Sequence, residues 1–142
     1  MQKLNKKEIE QILPHRDPFL FVDEITELIP GEYAKGIKYV KEDEYYFKGH
    51  FPGNPIMPGV IIIETIAQVG AVMMLTLEKF KGKIVLFAGV DKVRFKKIVK
   101  PGDALNIEVR IANLKLNIGK GIGIAKVKDE LACSAELMFS VV

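Results

Sequence analysis

Two residues of this 142-residue chain have the type and the setting for proton chemistry, His50 and Glu64. His50 lies in Gly49-His-Phe-Pro-Gly-Asn-Pro-Ile-Met-Pro-Gly59. The prolines at 52, 55 and 58 each fix φ and push the preceding residue toward extended backbone. Such a segment holds a side chain and the neighbouring amides in place. A histidine there acts as a base, or it bonds a loop carbonyl and does nothing more; the residue alone leaves both open. Glu64 follows Ile61-Ile62-Ile63 and precedes Ile66, so its carboxyl sits among apolar side chains. Desolvation raises the pKa of such a group. A carboxyl that keeps its proton near neutrality can donate that proton or a hydrogen bond. The competing reading is a buried glutamate paired with a base for structural reasons, but no Lys or Arg lies within one turn. Gln68, at i+4, would orient the carboxyl. Gly59 and Val60 follow Pro58 at the start of a helix, where unpaired amides and the helix dipole would polarise a carbonyl oxygen. Base, buried acid and oxyanion donor together suit removal of a proton α to a carbonyl, with a β-hydroxyl expelled as water.

These residues need a scaffold, and the rest of the chain reads as one. Asn5 and Glu8 have the spacing of a capping box, and Ile9, Ile12 and Leu13 form one stripe, predicting a short helix that ends before Pro14. Phe19 to Leu28 and Tyr33 to Val40 read as strands separated by Pro30-Gly31. The loop at 49–59 leads into an apolar helix over about 59–80. Lys83 to Gly89 and Val90 to Ile98 read as two further strands, the second with Val93 and Phe95 on one side and Lys92, Arg94 and Lys96 on the other. Leu105 to Ile111 alternates apolar and polar as a half-buried antiparallel strand does, and Leu114 to Lys128 continues the pattern with glycines at 119, 121 and 123. The last strand puts Leu131, Cys133, Ala135, Leu137 and Phe139 on one face. Antiparallel strands with one long apolar helix make an α+β domain over 1–142, the sheet curled around a helix that needs cover on every side. A helix flank and a sheet edge would stay open, and dimerisation is the expected remedy.

Composition narrows the function. With 49% hydrophobic and 27% charged residues the chain has material for a real core, and intrinsic disorder is excluded. A net charge of +3 is too small to argue for nucleic acid. Gly59 to Leu77 approaches the length of a membrane span, but Glu64 and Gln68 lie inside it one turn apart, and intramembrane carboxylates are costly. No membrane span is expected. The single cysteine, Cys133, has no partner for an internal disulfide and reads as core, so a cytoplasmic protein is the expectation. Gly119-x-Gly-x-Gly123 lacks a following helix, which makes it a poor nucleotide motif and a better mark of strand curvature or close backbone approach.

The run Phe47-x-Gly-His-Phe-Pro-Gly-Asn-Pro-Ile-Met-Pro-Gly-Val60, with Glu64 and Gln68 behind it, resembles the (3R)-hydroxyacyl-[acyl carrier protein] dehydratases of bacterial type II fatty acid synthesis, the FabZ family. Leu13-Pro-His-Arg-Asp-Pro-Phe-Leu20, Val22-Asp23, Lys92-x-Arg-Phe-Lys96 and Pro101-Gly-Asp103 match the same family, so the resemblance covers essentially the whole chain. It implies a hot-dog fold and a dimer with two shared active sites, His50 from one subunit and Glu64 from the other, the dimers assembling in threes. It implies no metal and no organic cofactor, the acyl chain being carried on the phosphopantetheine of acyl carrier protein. His50 would take the α-proton with the thioester oxygen on the Gly59 amide, and Glu64, held by Gln68, would protonate the departing hydroxyl. A one-base version, in which His50 makes both transfers and Glu64 only positions a water or the hydroxyl, stays open. The dehydratase-isomerase branch generally has Asp where this chain has Glu64, which argues for dehydration without isomerisation.

Lys92, Arg94 and Lys96, with Lys97 and Lys100 nearby, form a basic stripe that would meet an acidic carrier protein, or a solvated strand surface that discourages edge pairing. Apolar helix and strand residues, Ile62, Ile66 and Phe51 among them, line the acyl tunnel or simply pack the core. His15 and Arg16 look catalytic by type, yet their matched family position reads as structural, with Arg16 pairing Asp17 or Asp23. Two rival functions are a hot-dog thioesterase, which would use an ionised Glu64 and leave His50 idle, and a non-catalytic acyl-thioester binding module, which would tolerate loss of both. Acyl chain length and any share in lipid A synthesis are not set by these residues.

Overall fold

A computed structural model describes residues 2–142. Helix α1 (Lys6–Ile12) opens with the full capping box: the Asn5 side chain accepts from the Glu8 amide at 2.9 Å, and the Glu8 carboxyl accepts from the Asn5 amide at 3.0 Å. Six strands follow, β1 (Glu24–Ile29), β2 (Tyr33–Tyr39), β3 (Val85–Phe95), β4 (Ala104–Lys115), β5 (Ile118–Val127) and β6 (Glu130–Val141). They form one antiparallel sheet in the order β1-β2-β4-β5-β6-β3. The sheet curls around α2 (Gly59–Leu75), which packs chiefly on β2, β4 and β5 and least on β1, β3 and β6.

Helix α2 buries Ile62, Ile66, Val69, Ala71, Val72, Met73, Met74 and Leu75, positions that run round most of its circumference. Each of these side chains larger than alanine contributes about 1.5–3 kcal/mol relative to leaving it in water. The helix stops at Leu75, earlier than the apolar run, and a separate 3-10 turn covers Glu78–Phe80. Two groups outside the helix ladder satisfy one of its terminal carbonyls. The Thr76 hydroxyl and the Gly31 amide both donate to Met73 O, at 2.9 and 3.1 Å. Gly31 sits at φ +75, which a glycine adopts without a Cβ clash, so the β1–β2 turn caps the central helix. No helix among the described residues is long and apolar enough to cross a membrane.

Three strand boundaries differ from the sequence reading, each for a physical reason. Phe19–Asp23 precedes β1 rather than opening it, because Leu20, Phe21 and Val22 are all buried, which a strand with one covered face cannot arrange. The two strands expected on either side of Gly89–Val90 are one, β3, paired with β6 throughout. Irregularities between Phe87 and Gly89 and between Asp91 and Arg94 take up the extra residues. The run from Leu114 to Lys128 breaks at a hairpin, Leu116 standing at φ +57 between Lys115 and Ile118. The expected open edge is β3, along which Leu86, Phe87, Val90 and Phe95 are exposed.

Candidate active site

His50 is held at both ends of its loop. Its amide donates to Tyr46 O at 3.1 Å, its carbonyl accepts from the Ile56 amide at 3.0 Å, and Phe51 and Asn54 exchange backbone bonds at 3.0 and 2.8 Å. The Met57 amide ties the loop's end to Val99 O at 2.8 Å. On the side chain, Nδ1 lies 2.7 Å from Ile56 O. A carbonyl oxygen can only accept, so Nδ1 carries the proton and Nε2 is left with a free lone pair. The imidazole stacks on the Phe51 ring with centroids 3.9 Å apart, which places Phe51 as its support rather than as a tunnel wall.

The start of α2 lies in the same cavity. His50, Gly59, Val60 and Ile62 line it together with Phe95, Lys96 and Lys97. Pro58 O accepts from Ile61 and Ile62, so the Gly59 and Val60 amides are the two at this helix end left without a backbone acceptor. A Cβ on Gly59 would lie 2.7 Å from Phe95 Cε1, so the ring sits against bare backbone at the helix end. His50 and the amides of Gly59 and Val60 therefore share one cavity.

Glu64 does not join them within one chain; it lines a second, apolar groove together with Gln68 and His15. Gln68 is 1% exposed and fully engaged. Its Oε1 accepts from the Phe21 amide at 2.8 Å, while Nε2 donates to Phe19 O at 2.9 Å and to Glu64 Oε2 at 3.0 Å. One side chain thus pins the 19–21 segment and the carboxyl at once. Burial raises the pKa of Glu64, against a smaller lowering by the Gln68 bond.

His15, which sequence reasoning set aside as structural, stands beside Glu64. Its Nε2 lies 3.7 Å from Glu64 Oε2, and its Nδ1 is buried without a hydrogen-bond partner. Burial lowers the His15 pKa while it raises that of Glu64, so desolvation at this contact disfavours the charged form of each. Two histidines in the chain, one in each cavity, were a signal available from composition. Arg16 pairs with neither Asp17 nor Asp23. Its Nη1 donates to Leu13 O at 2.9 Å and His15 O at 2.7 Å, bracing the turn that presents His15, while Asp23 binds Lys6 and the Tyr39 amide.

The basic stripe is broken. Lys92 sits at φ +50 in the bulge of β3, and its Nζ meets Glu136 Oε2 at 3.4 Å, a carboxylate that Lys120 also holds at 2.7 Å. Glu136 belongs to the outer face of β6, opposite buried Ala135 and Leu137, so Lys92 turns away from the cavities. Arg94 folds back on Val93 O at 2.8 Å, and Lys96 stands at the rim of the His50 cavity. Among the suggested tunnel residues, Ile62 lines that cavity and Ile66 is core.

An antiparallel sheet curled about one long helix, with polar groups at the helix start and on its first turns, is a hot-dog fold. Solved structures share it. The dehydratase heterocomplex ApeI:P from Xenorhabdus doucetiae superposes with a TM-score of 0.79, covering 93% of this chain and 89% of that one at 17% identity. A hypothetical thioesterase with coenzyme A from Streptococcus pneumoniae TIGR4 gives 0.63, over 83% and 84% at 13% identity. Likenesses this distant in sequence speak for the fold alone. Residues 13–136 match the FabA-like domain. The chain is 56% identical over 138 residues to the 3-hydroxyacyl-[acyl-carrier-protein] dehydratase FabZ of Chloroflexus aggregans, 97% of this chain and 96% of that protein. To the dehydratase of the same name from Caldicellulosiruptor bescii it is 56% identical over 137 residues, 96% and 98% of the two chains. This chain belongs to the FabA-like family, among its FabZ dehydratases.

Proposed function

We propose that this protein is a hydro-lyase that converts (3R)-hydroxyacyl-[acyl carrier protein] to trans-2-enoyl-[acyl carrier protein] and water. The observation that carries this reading is the 2.7 Å contact of His50 Nδ1 with Ile56 O. With Nδ1 donating to Ile56 O, Nε2 is the nitrogen that can take a proton, in the cavity that also holds the Gly59 and Val60 amides. Nε2 removes the α-proton as the thioester oxygen gathers charge on those amides. The C3–O bond then breaks, and the hydroxyl leaves as water with the proton of Glu64, which Gln68 orients and burial keeps protonated to higher pH. A proton returns from His50 to Glu64 through solvent or the next substrate. No nucleophile and no cofactor enters the sequence.

Support for a shared site comes from β3. Phe87 lines the Glu64 groove and Phe95 lines the His50 cavity, and both stand on this exposed edge strand. A second copy seated along β3 meets both cavities and brings His50 of one chain to Glu64 of the other. Lys96 at the rim of the His50 cavity, with Arg94 two residues before it on the same stretch of chain, offers positive charge to an acidic carrier protein, which speeds encounter more than it tightens binding.

The test follows the enoyl-thioester absorbance from trans-2-enoyl and 3-hydroxyacyl carrier substrates, with wild type beside His50→Ala and Glu64→Gln. Interconversion in wild type, lost in either variant and regained when the two variants are mixed, supports the dehydratase and its shared site. Release of free thiol without interconversion would make it a thioesterase instead, and binding with neither reaction would make it a binding module.

A further inference from the structure

The three glycines of β5 at 119, 121 and 123 all face the concave side of the sheet and are all buried. Two of them are spoken for. A Cβ on Gly123 would overlap Ile66 Cγ2 of α2, and a Cβ on Gly119 would overlap the ring of Phe139. Gly121 is different. The nearest atoms to a Cβ there are Arg110 O at 3.5 Å and Val109 Cγ1 at 3.6 Å, which is ordinary contact. What its missing side chain leaves open is the groove that begins at His15 and Glu64.

Helix and sheet face each other across the groove at this level. Gly70 of α2 also lines it, and a Cβ on Gly70 would lie 3.3 Å from the same Val109 Cγ1. Gly70 and Gly121 therefore flank one methyl group from the helix side and the sheet side. Beyond them the groove continues past Ala71 to Met74 and Phe139. Gly70 is six residues past Glu64, an axial distance of about 9 Å, or about seven extended methylenes.

Resting on the dehydratase reading above, we propose that Gly121 sets the acyl chain length the enzyme accepts. The substrate's C3 hydroxyl meets Glu64, so the tail past C3 follows the groove of the chain that supplies Glu64. Tails of up to about ten carbons in total end before the level of Gly70 and Gly121, and longer ones pass through the space that Gly121 leaves. Gly121 is not among the left-handed glycines of this chain, so alanine or valine enters without backbone strain.

The experiment compares wild type, Gly121→Ala and Gly121→Val on 3-hydroxybutyryl and 3-hydroxytetradecanoyl carrier substrates, with thermal unfolding and sedimentation in parallel. In Gly121→Val, kcat/KM for the long substrate is expected to fall at least about tenfold relative to the short one, with a smaller drop in Gly121→Ala. The Tm should hold or rise, since glycine weakens a strand interior. An unchanged ratio between the two substrates overturns the proposal. So does an equal loss on both, and an equal loss with weakened self-association gives the groove to a second copy of the chain. If wild type binds both thioesters and converts neither, the dehydratase reading fails by itself. Selective loss of long-chain binding in Gly121→Val would then still uphold the groove.

Discussion

Replacing Gln68 with methionine separates what this side chain holds from the space it fills. Methionine has nearly the same length and leaves no large void, so the cavity contribution is small. Two backbone groups lose their partners. The Phe21 amide, in a residue 1% exposed, has no water to turn to, and orphaning it costs about 1–3 kcal/mol. Phe19 is partly exposed, so its carbonyl finds solvent and forfeits only about 0.5–1.5 kcal/mol. Together Gln68→Met should destabilise the fold by about 2–4 kcal/mol, a large share of the 5–15 kcal/mol typical of a domain. Equilibrium urea unfolding at fixed protein concentration reads this as a midpoint lower by about 1–2 M with an unchanged slope. The same substitution frees Glu64 Oε2. Because the Gln68 bond lowers the Glu64 pKa, its loss lets burial raise that pKa further, and the alkaline limb of kcat moves to higher pH while kcat itself falls. A stability change under about 1 kcal/mol would refute the reasoning, since it would leave the 19–21 segment held by apolar burial alone.

Opening the other side of Glu64 should act in the opposite direction. His15→Ala admits water, relieves the burial that raises the acid's pKa, and shifts the alkaline limb of kcat to lower pH with kcat reduced more than KM; an unchanged profile would reduce His15 to packing. Glu64 binds its proton more tightly folded than unfolded, so the wild type should lose stability against Glu64→Gln as pH rises through the ordinary and then the raised carboxyl range, the gap closing in acid; parallel stability curves would count against a buried neutral acid. Cys133 is fully buried with its thiol pushed up to about 11, so an alkylating reagent at pH 8 should spare the folded protein and label it fully in denaturant. Fast labelling of the native state would contradict that burial.

Where local physics decides, the sequence was enough. The Asn5–Glu8 capping box, the alternation of β4 and β6, the Pro-rich loop around His50 and the Glu64–Gln68 pair all stand where spacing put them. What escaped depended on partners distant in the chain. Phe19–Asp23 has strand composition but is held by Gln68 from α2, and no local rule contains that bond. The bulges of β3 exist because β6 pairs with it along its whole length, which also turned Lys92 out of the basic stripe and onto Glu136. Leu116 takes a left-handed turn position that residue preferences assign to glycine or asparagine. His15 was discounted by family position, and only the folding of its loop across α2 shows which carboxyl it faces.

The strand order also fixes a timetable for the nascent chain. β3 is synthesised third but pairs only with β6, the last strand to leave the ribosome, and β2 must wait for β4 across the whole of α2. Until β6 arrives the eleven-residue strand β3 has no partner, and α2 is covered only by the part of the sheet that β1, β2, β4 and β5 build. Long-range pairing of this kind slows folding and prolongs the exposure of sticky surface. A chain cut short before residues 130–141 leaves both β3 and β5 with an open edge, a template for aggregation rather than a smaller working protein.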